Sequence, residues 1–566
     1  MSLISALNIG SSALAASQLQ IQTTGNNIAN ASNPNYTRET AQLSPNADQQ
    51  IQPGIFVGTG VDVSSIQRQV DTALTARVNS AVSDNQAATT TANWLGQVQA
   101  AFNALSGTDL SSQLSSFYDD WSTLANNPSD SGQRSVVLEQ GQTVASTFQS
   151  LSGQLGTIQG SVVQALGAQA VSADGLASQI ATLNGQIITA QGGGSATANS
   201  LMDQRDADVQ SLSQLMDVTT VQQPDGSVNV YVGSEPLVTG TTSNGVAEQT
   251  QLVNGTPTAV AVFKSNNETI PVTSGQIGSL ESVQGQITGV QNQLNTLANN
   301  FVYQLNKIHS SGQGTEGFTT VTSTNLVADP TQALDSTAAG LAFTPTNGSF
   351  VVNVKDPTTG LEQSTLVSVN LTGQSTDTTL NSLAASLSAV PGVGATISGG
   401  RLTIAATSGQ QITFSQDSSG VLAALGINTF FTGSNATNIA VNPVVTNQPD
   451  LIAAAQDGDP GDNKTALAIA ALGTQPIASL QGQSLNATYQ NMINGISVAT
   501  STANTDQKAA QSVQDTLQSQ QQSESGVSLD EETVNLLQQQ TAYAGAAKLI
   551  SVVDDMMQTL LNITTY

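Results

Sequence analysis

The stretch Ser528–Leu560, SLDEETVNLLQQQTAYAGAAKLISVVDDMMQTL, carries apolar side chains at seven-residue intervals. One line runs through Leu536, Tyr543, Ile550 and Met557, and a companion three residues on runs through Ala546, Val553 and Leu560. Together they make the a/d seam of a helix built to pack along another helix. Its start is marked as well: Ser528-Leu529-Asp530-Glu531 reads as a capping box, and Asp530, Glu531 and Glu532 put negative charge at the positive end of the helix dipole. The opposite end of the chain answers it, with Leu7, Leu14, Ile21 and Ile28 at the same heptad spacing. Two arrangements satisfy this periodicity. Either the two ends pair as a hairpin within one chain, or the seams are buried against neighbouring copies. The N-terminal segment is rich in Ser, Asn, Thr and Gly, which disfavour an isolated helix. Ordering on assembly is therefore the expectation.

Between these ends the pattern changes several times. Asn33-Pro34-Asn35-Tyr36 is a turn signal that stops the first helix, with Asn35 suited to the left-handed position of a type II turn. Thr59–Val63 reads as extended chain leading into a helix over 65–86. From Thr91 to Asp217 helical spacing dominates, as in Trp94, Val98, Phe102 and Leu105, interrupted at Pro128 and at Gly192-Gly193-Gly194. Over 218–272 the period falls to two, as in Val228-Asn229-Val230-Tyr231-Val232 after the turn at Pro224-Asp225-Gly226. Helix returns over 276–310, and a Thr-, Gly- and Val-rich β segment follows over 324–443, with one helix near 379–390. The rest is helical from about Lys464, broken at Gly526.

Composition excludes several functions. Of 566 residues only 9% are charged, and the net charge is −27, with 12 Lys plus Arg against 39 Asp plus Glu. The basic residues are scattered singly, so nucleic acid and anionic membranes are not expected partners. There is no Cys, which excludes disulfides and thiolate metal sites. The first 37 residues carry no charge and lack the basic and continuous apolar regions of a signal peptide, so if the protein leaves the cell it does not use the general secretory route. No window approaches the ~20 apolar residues of a membrane span.

The candidates for chemistry are few. His309 is the only histidine, which excludes His-dependent triads and two-His zinc motifs, and its place at a helix end beside Lys307 predicts a surface residue. Asp457–Asp462 fails the calcium-loop pattern, with Ala468 at the twelfth position and Asp462 at the sixth, so a turn with Asp462 or Asn463 capping the next helix is expected. Asp203, Asp206 and Asp208 around Arg205 predict a solvated helix face with a local ion pair. No catalytic, cofactor or metal residue is assigned.

Gly25-Asn26-Asn27-Ile28-Ala29-Asn30-Ala31, followed by Asn33-Pro34-Asn35-Tyr36-Thr37-Arg38, resembles the N-terminal signature of bacterial flagellar rod, hook and hook-associated proteins. Further matches follow in order: Gly54–Val61, Ile66-Gln67-Arg68 with Asp71 and Leu74, Leu201–Asp206, Leu425–Gly433 and Gly526–Glu532. Asn35 departs from the Gly usual before the Tyr. The resemblance implies a mostly α chain with β insertions, in three parts. Segments 1–40 and 525–566 are terminal heptad helices that form a coiled coil on assembly. Segments 41–323 and 444–524 form a long helical-bundle rod domain with the β-rich insert near 218–272, and 324–443 is a β-rich outer domain. It further implies a non-enzymatic, secreted structural protein exported by the flagellar type III system. Such a protein forms a homo-oligomeric ring between hook and filament, or serves as another axial protein of that family. The implied partners are hook protein, the second hook-associated protein and a C-terminal export chaperone. The expected assembly residues are Leu7, Leu14, Ile21, Ile28, Asn26, Asn27, Leu536, Tyr543, Ile550, Val553, Met557 and Leu560. The competing class is a secreted surface adhesin.

Overall fold

The computed structural model describes residues 3–103, 109–192, 198–253, 256–459 and 461–564. Leu105, Gly193, Gly194 and Pro460 lie outside the described residues. Helices dominate: α1 (Leu3–Asn30), α2 (Thr72–Asn103), α3 (Leu110–Asn126), α4 (Ser131–Gly192), α5 (Asn199–Leu215) and α6 (Gly275–His309) are followed by the short α7 (Leu380–Ser388), α8 (Val421–Leu425), α9 (Pro443–Asn447) and α10 (Lys464–Ala471), then α11 (Leu485–Ser525) and α12 (Leu529–Thr564). The chain divides into two compact units, one comprising Met1–Trp94, Ser161–Gln284 and Ser501–Tyr566, the other Leu95–Gly160 and Gly285–Thr500.

In the first unit, β1 (Glu39–Pro45) pairs antiparallel with β4 (Val61–Arg68), and the hairpin of β2 (Gln49–Gln52) and β3 (Ile55–Val57) lies between them in sequence. The helix expected over 65–86 begins later: Ser65–Arg68 is strand, and α2 starts at Thr72 because the Asp71 carboxylate accepts from the Ala73 and Leu74 N–H groups. The turn after α1 also differs from expectation. Asn35 does not take positive φ; the Asn33 side chain accepts from the Asn35 N–H, and the Tyr36 N–H closes the turn on the Asn33 carbonyl.

Strands β5 (Val218–Gln222), β6 (Val228–Val232), β7 (Glu235–Thr239) and β8 (Thr242–Ser243) form one antiparallel sheet, and β9 (Val246–Val253) pairs with β10 (Thr256–Phe263). The period-two reading of β6 holds, with Val228, Val230 and Val232 buried. They join Ala177, Ile180, Val209, Leu212, Phe263 and Ile277 in this unit's core.

The second unit is built on aromatic packing. Phe117, Trp121, Phe148, Phe301, Phe430 and Phe431 are fully buried, with tilted or edge-on ring contacts such as Phe301–Phe431 at 5.0 Å and Trp121–Phe430 at 5.6 Å. Two three-stranded antiparallel sheets accompany it: β11 (Thr320–Thr322) with β14 (Val393–Ser398) and β15 (Arg401–Ala406), and β12 (Gly348–Lys355) with β13 (Glu362–Val369) and β16 (Gln411–Ser415). A capping box between Thr379 and Ser382 starts α7.

His309 corrects the expectation of a surface residue: it has no exposed area. Its Nδ1–H donates to the Asn428 carbonyl at 2.9 Å, and its Nε2 accepts the Ala453 N–H at 3.0 Å. Burial pushes its pKa down to about 4, and neighbouring Arg134 adds to this. The Asp457–Asp462 turn is as expected, with Asp462 accepting from the Gln456, Asp457 and Lys464 N–H groups.

Candidate assembly surface

Helices α1 and α12 pack on each other within one chain, antiparallel. Gly10 meets Ile550, the Thr24 hydroxyl donates to Gln539 Oε1 at 3.0 Å, and Asn27 Nδ2 donates to Glu532 Oε2 at 3.0 Å. Contact at Gly10 is close enough that a Cβ there would lie 2.8 Å from Ile550 Cγ1. On α12 the seam follows the heptads: Ala546 and Val553 are buried, and Leu536, Ile550 and Met557 half-buried. Tyr543 and Leu560 are exposed. On α1 the most deeply buried line is a different one. Gly10, Ser17 and Thr24, seven residues apart, are buried together with Ala16, Thr23 and Asn27. Leu7, Leu14, Ile21 and Ile28 flank this line, each half-buried. Small side chains let the two backbones approach, and the large ones then have space only beside the contact.

At the base of this pair lies a polar network. Asn27 Oδ1 accepts from the Tyr36 hydroxyl at 2.8 Å and from the Glu39 N–H at 3.0 Å, while its Nδ2 also donates to the Glu39 carbonyl. Asn26 Nδ2 donates to the Tyr36 hydroxyl and to Glu39 Oε2. Arg38 pairs with Glu532 at 2.8 Å and with Glu531 at 3.3 Å, and its N–H caps the end of α11 at the Ser525 carbonyl. Glu532 is thus a buried partner for Asn27, Arg38 and Asn535 as well as a charge at the helix start. The break before α12 needs Gly526, where a Cβ would lie 2.3 Å from the Gln522 carbonyl oxygen. Tyr36 keeps its proton well above the usual range, through burial and then the carboxylates of Glu39, Asp203 and Glu532.

The acidic group on α5 corrects the solvated-face expectation. Asp203 is buried and takes Arg68 Nη1 at 2.7 Å, the same nitrogen reaches Asp206 at 2.9 Å, and buried Arg205 donates to the Gly226 carbonyl and pairs with Asp206. Burial opposes the Arg68 charge, yet the two carboxylates outweigh it and its pKa is raised; for Arg205 burial prevails and the pKa is lowered. Asn199 ties this group to the start of β1 by donating to Glu39 Oε1. These are structural locks. Among the described residues no group of three or more His, Cys, Asp or Glu is placed to hold a metal ion, and no helix is long and apolar enough to cross a membrane.

What the pair leaves uncovered is a second apolar line on α12. Leu549, Val552, Met556, Leu560 and Ile563 recur every three or four residues, Val534 and Leu537 lie further toward the helix start, and all seven are 40% to 68% exposed. Toward the chain end, Leu3, Val552, Met556, Leu560 and Ile563 line a groove of about 380 Å³, together with Asp555 and Thr559. The heptad seam takes in Leu560 of this line and passes over the others, although from Leu549 to Ile563 their spacing is that of a helix face. Apart from Ile4 near its start, the exposed positions of α1, such as Asn8, Ser11, Ala15, Gln18 and Gln22, are polar or small.

Comparison with known proteins agrees with this architecture. The family model described as flagellar hook-associated protein FlgK helical domain matches residues 95–326. The flagella basal body rod protein model matches 7–37, and the flagellar basal body rod FlgEFG protein C-terminal model matches 518–563. Flagellar hook-associated protein 1 of Salmonella typhimurium is 27% identical over 578 residues, covering 99% of this chain and 100% of the relative. That of Escherichia coli is 26% identical over 580 residues with the same coverage, and that of Bacillus subtilis is 29% identical over 237 residues, covering 40% of this chain and 45% of the relative. The solved flagellar hook junction protein FlgK from Burkholderia pseudomallei shares the fold, with a TM-score of 0.50 at 18% identity over 80% of this chain and 100% of that one.

Proposed function

Because this chain belongs to the flagellar hook-associated protein 1 family and is a structural component of the flagellar axis, we propose that it forms the ring joining hook to filament through its terminal helices. The observation that carries this reading is the outward apolar line of α12. Its contiguous part, Leu549 to Ile563, exposes on the order of 500 Å² of apolar surface, at the upper end of the ~300–600 Å² of the largest and often functional patch on a typical monomer, and Val534 and Leu537 extend it toward one partner's ~800 Å² share of a standard interface. A surface of that size in water calls for a partner.

In this reading segments 1–40 and 525–566 make the assembly contacts, and the helical part over 41–323 and 444–524 and the β-rich part over 324–443 form the body. Of the expected interface residues, the half-buried Leu7, Leu14, Ile21, Ile28, Ile550 and Met557 keep area for a neighbour, and exposed Tyr543 and Leu560 face one directly. Hook protein and the second hook-associated protein are the neighbours above and below. Before assembly the chain leaves the cell through the flagellar export channel, with a chaperone covering α12; a chain without Cys passes such a channel free of disulfides. No catalytic role or cofactor is assigned, since the lone His309 is spent on two backbone bonds inside the core.

Val552→Asp and Met556→Asp alter exposed positions and leave the folded monomer unchanged by circular dichroism and melting. In cells lacking this chain, neither variant restores swimming, and filament subunits appear in the medium. Normal swimming with either variant refutes the reading. A surface adhesin would instead keep its function after deletion of 1–40 and 525–566.

A further inference from the structure

The hairpin β2–β3 has no role in the fold that its own chain makes visible. All four residues of β2 are exposed, and Ile51, Ile55 and Phe56 are 52%, 52% and 60% exposed. From Gln49 to Val61 the sequence has no charged residue. The hairpin is carried by the β1–β4 ribbon, which is anchored to α1: the Val61 N–H donates to the Ser12 hydroxyl, and Gly60 sits against Ser12 and Ile9. Helix α12 covers a different flank of α1, the one through Gly10 and Thr24. The hairpin and the outward line of α12 are therefore two separate apolar surfaces of the first unit. Each is exposed in this structure, so neither covers the other.

We propose that the β2–β3 hairpin of one copy seats on the outward face of α12 of a second copy, with Phe56, Ile55 and Ile51 against Val552, Met556 and Ile563. This rests on the assembly reading above and names the contact it uses. Two observations select a second copy. A chain of net charge −27 repels another copy over most of its surface, so close approach is cheapest where the arriving surface is uncharged and apolar, and the hairpin brings no carboxylate to Asp555, which lines the α12 groove beside Val552 and Met556. The area also fits a repeated contact. The three hairpin side chains expose on the order of 350 Å², less than half of the ~800 Å² per partner of a stable pair. A single such contact is too small to hold two copies in solution and becomes effective when neighbours on both sides repeat it. The two surfaces differ, so the contact is head-to-tail and propagates around a ring or helix, where a self-complementary patch would stop at a dimer.

The absence of native Cys makes the test direct. Phe56→Cys, an exposed position, is labelled with benzophenone maleimide in the full chain. Heavy-isotope-labelled and unlabelled copies are mixed, added to hooks isolated from the same cells, and irradiated. The expected product joins the tryptic peptide Glu39–Arg68 of one copy to Leu549–Tyr566 of another, with mixed isotope label, at about tenfold higher yield with hooks than without. Cross-links to hook subunits, to another surface of this chain, within one chain only, or to nothing, overturn the contact. Hook binding by the unmodified chain is scored alongside by sedimentation. Binding without the cross-link overturns the contact and leaves the ring assignment standing, whereas no binding overturns both.

Discussion

Replacing His309 removes a specific acid sensitivity from the second unit. The imidazole is neutral in the fold: Nε2 accepts the Ala453 N–H, so a proton there would face another donor, with the Arg134 guanidinium close enough to oppose the charge. Its folded pKa is about 4, whereas a solvated His titrates near 6.5. A group depressed in this way contributes stability that is present above the unfolded pKa and lost as pH falls from about 6.5 toward 4. Integrating between pH 7.5 and 5.5, the native state loses roughly 1.4 kcal/mol, and the full shift is worth roughly 3.4 kcal/mol once both states are protonated. The assay is urea unfolding at pH 7.5 and 5.5, followed by the fluorescence of Trp121, which touches the His309 ring. His309→Gln lowers stability at both pH values and removes this part of the pH dependence, so the difference between the two proteins narrows by roughly 1.4 kcal/mol at pH 5.5. Parallel pH dependences for wild type and variant would refute the argument.

Three further outcomes follow from the first unit. Glu281 is held by the Ala261 N–H at 2.7 Å in a site whose burial raises its pKa to about 7. Its carboxylate therefore costs stability above pH 7, a cost relieved as pH falls toward 4.5; Glu281→Gln should flatten that rise in the unfolding midpoint. Gly10→Val forces α1 from Ile550 and costs about 1–3 kcal/mol of local stability by overpacking, read as faster amide exchange over 5–20 and 540–556 with exchange in the second unit unchanged. Arg68→Met leaves Asp203 and Asp206 without their shared cation and should cost about 3–5 kcal/mol; a melting temperature within a degree of wild type would show the network to be solvated.

Much of this molecule was legible from sequence alone because its information is local. Period 3.6 places α4 and α6, period two places β6, Pro128 and Gly526 place breaks, and the heptads of α12 select the face that carries Ala546, Ile550 and Val553. Each follows from the geometry of one element and the gain from burying its apolar side. Tertiary structure decided what depends on partners distant in the chain. The stripe of α1 that meets α12 is Gly10, Ser17 and Thr24, because a close helix contact selects small side chains, and an apolar periodicity count passes over them. Asn27 meets Glu532 across 505 residues, and Arg68 meets Asp203 across 135. His309, at a helix end that reads as surface, is buried because the Asn428 carbonyl and Ala453 N–H come from elsewhere to satisfy both ring nitrogens. A polar side chain's burial depends on whether complementary groups arrive in space, and linear order carries no record of that.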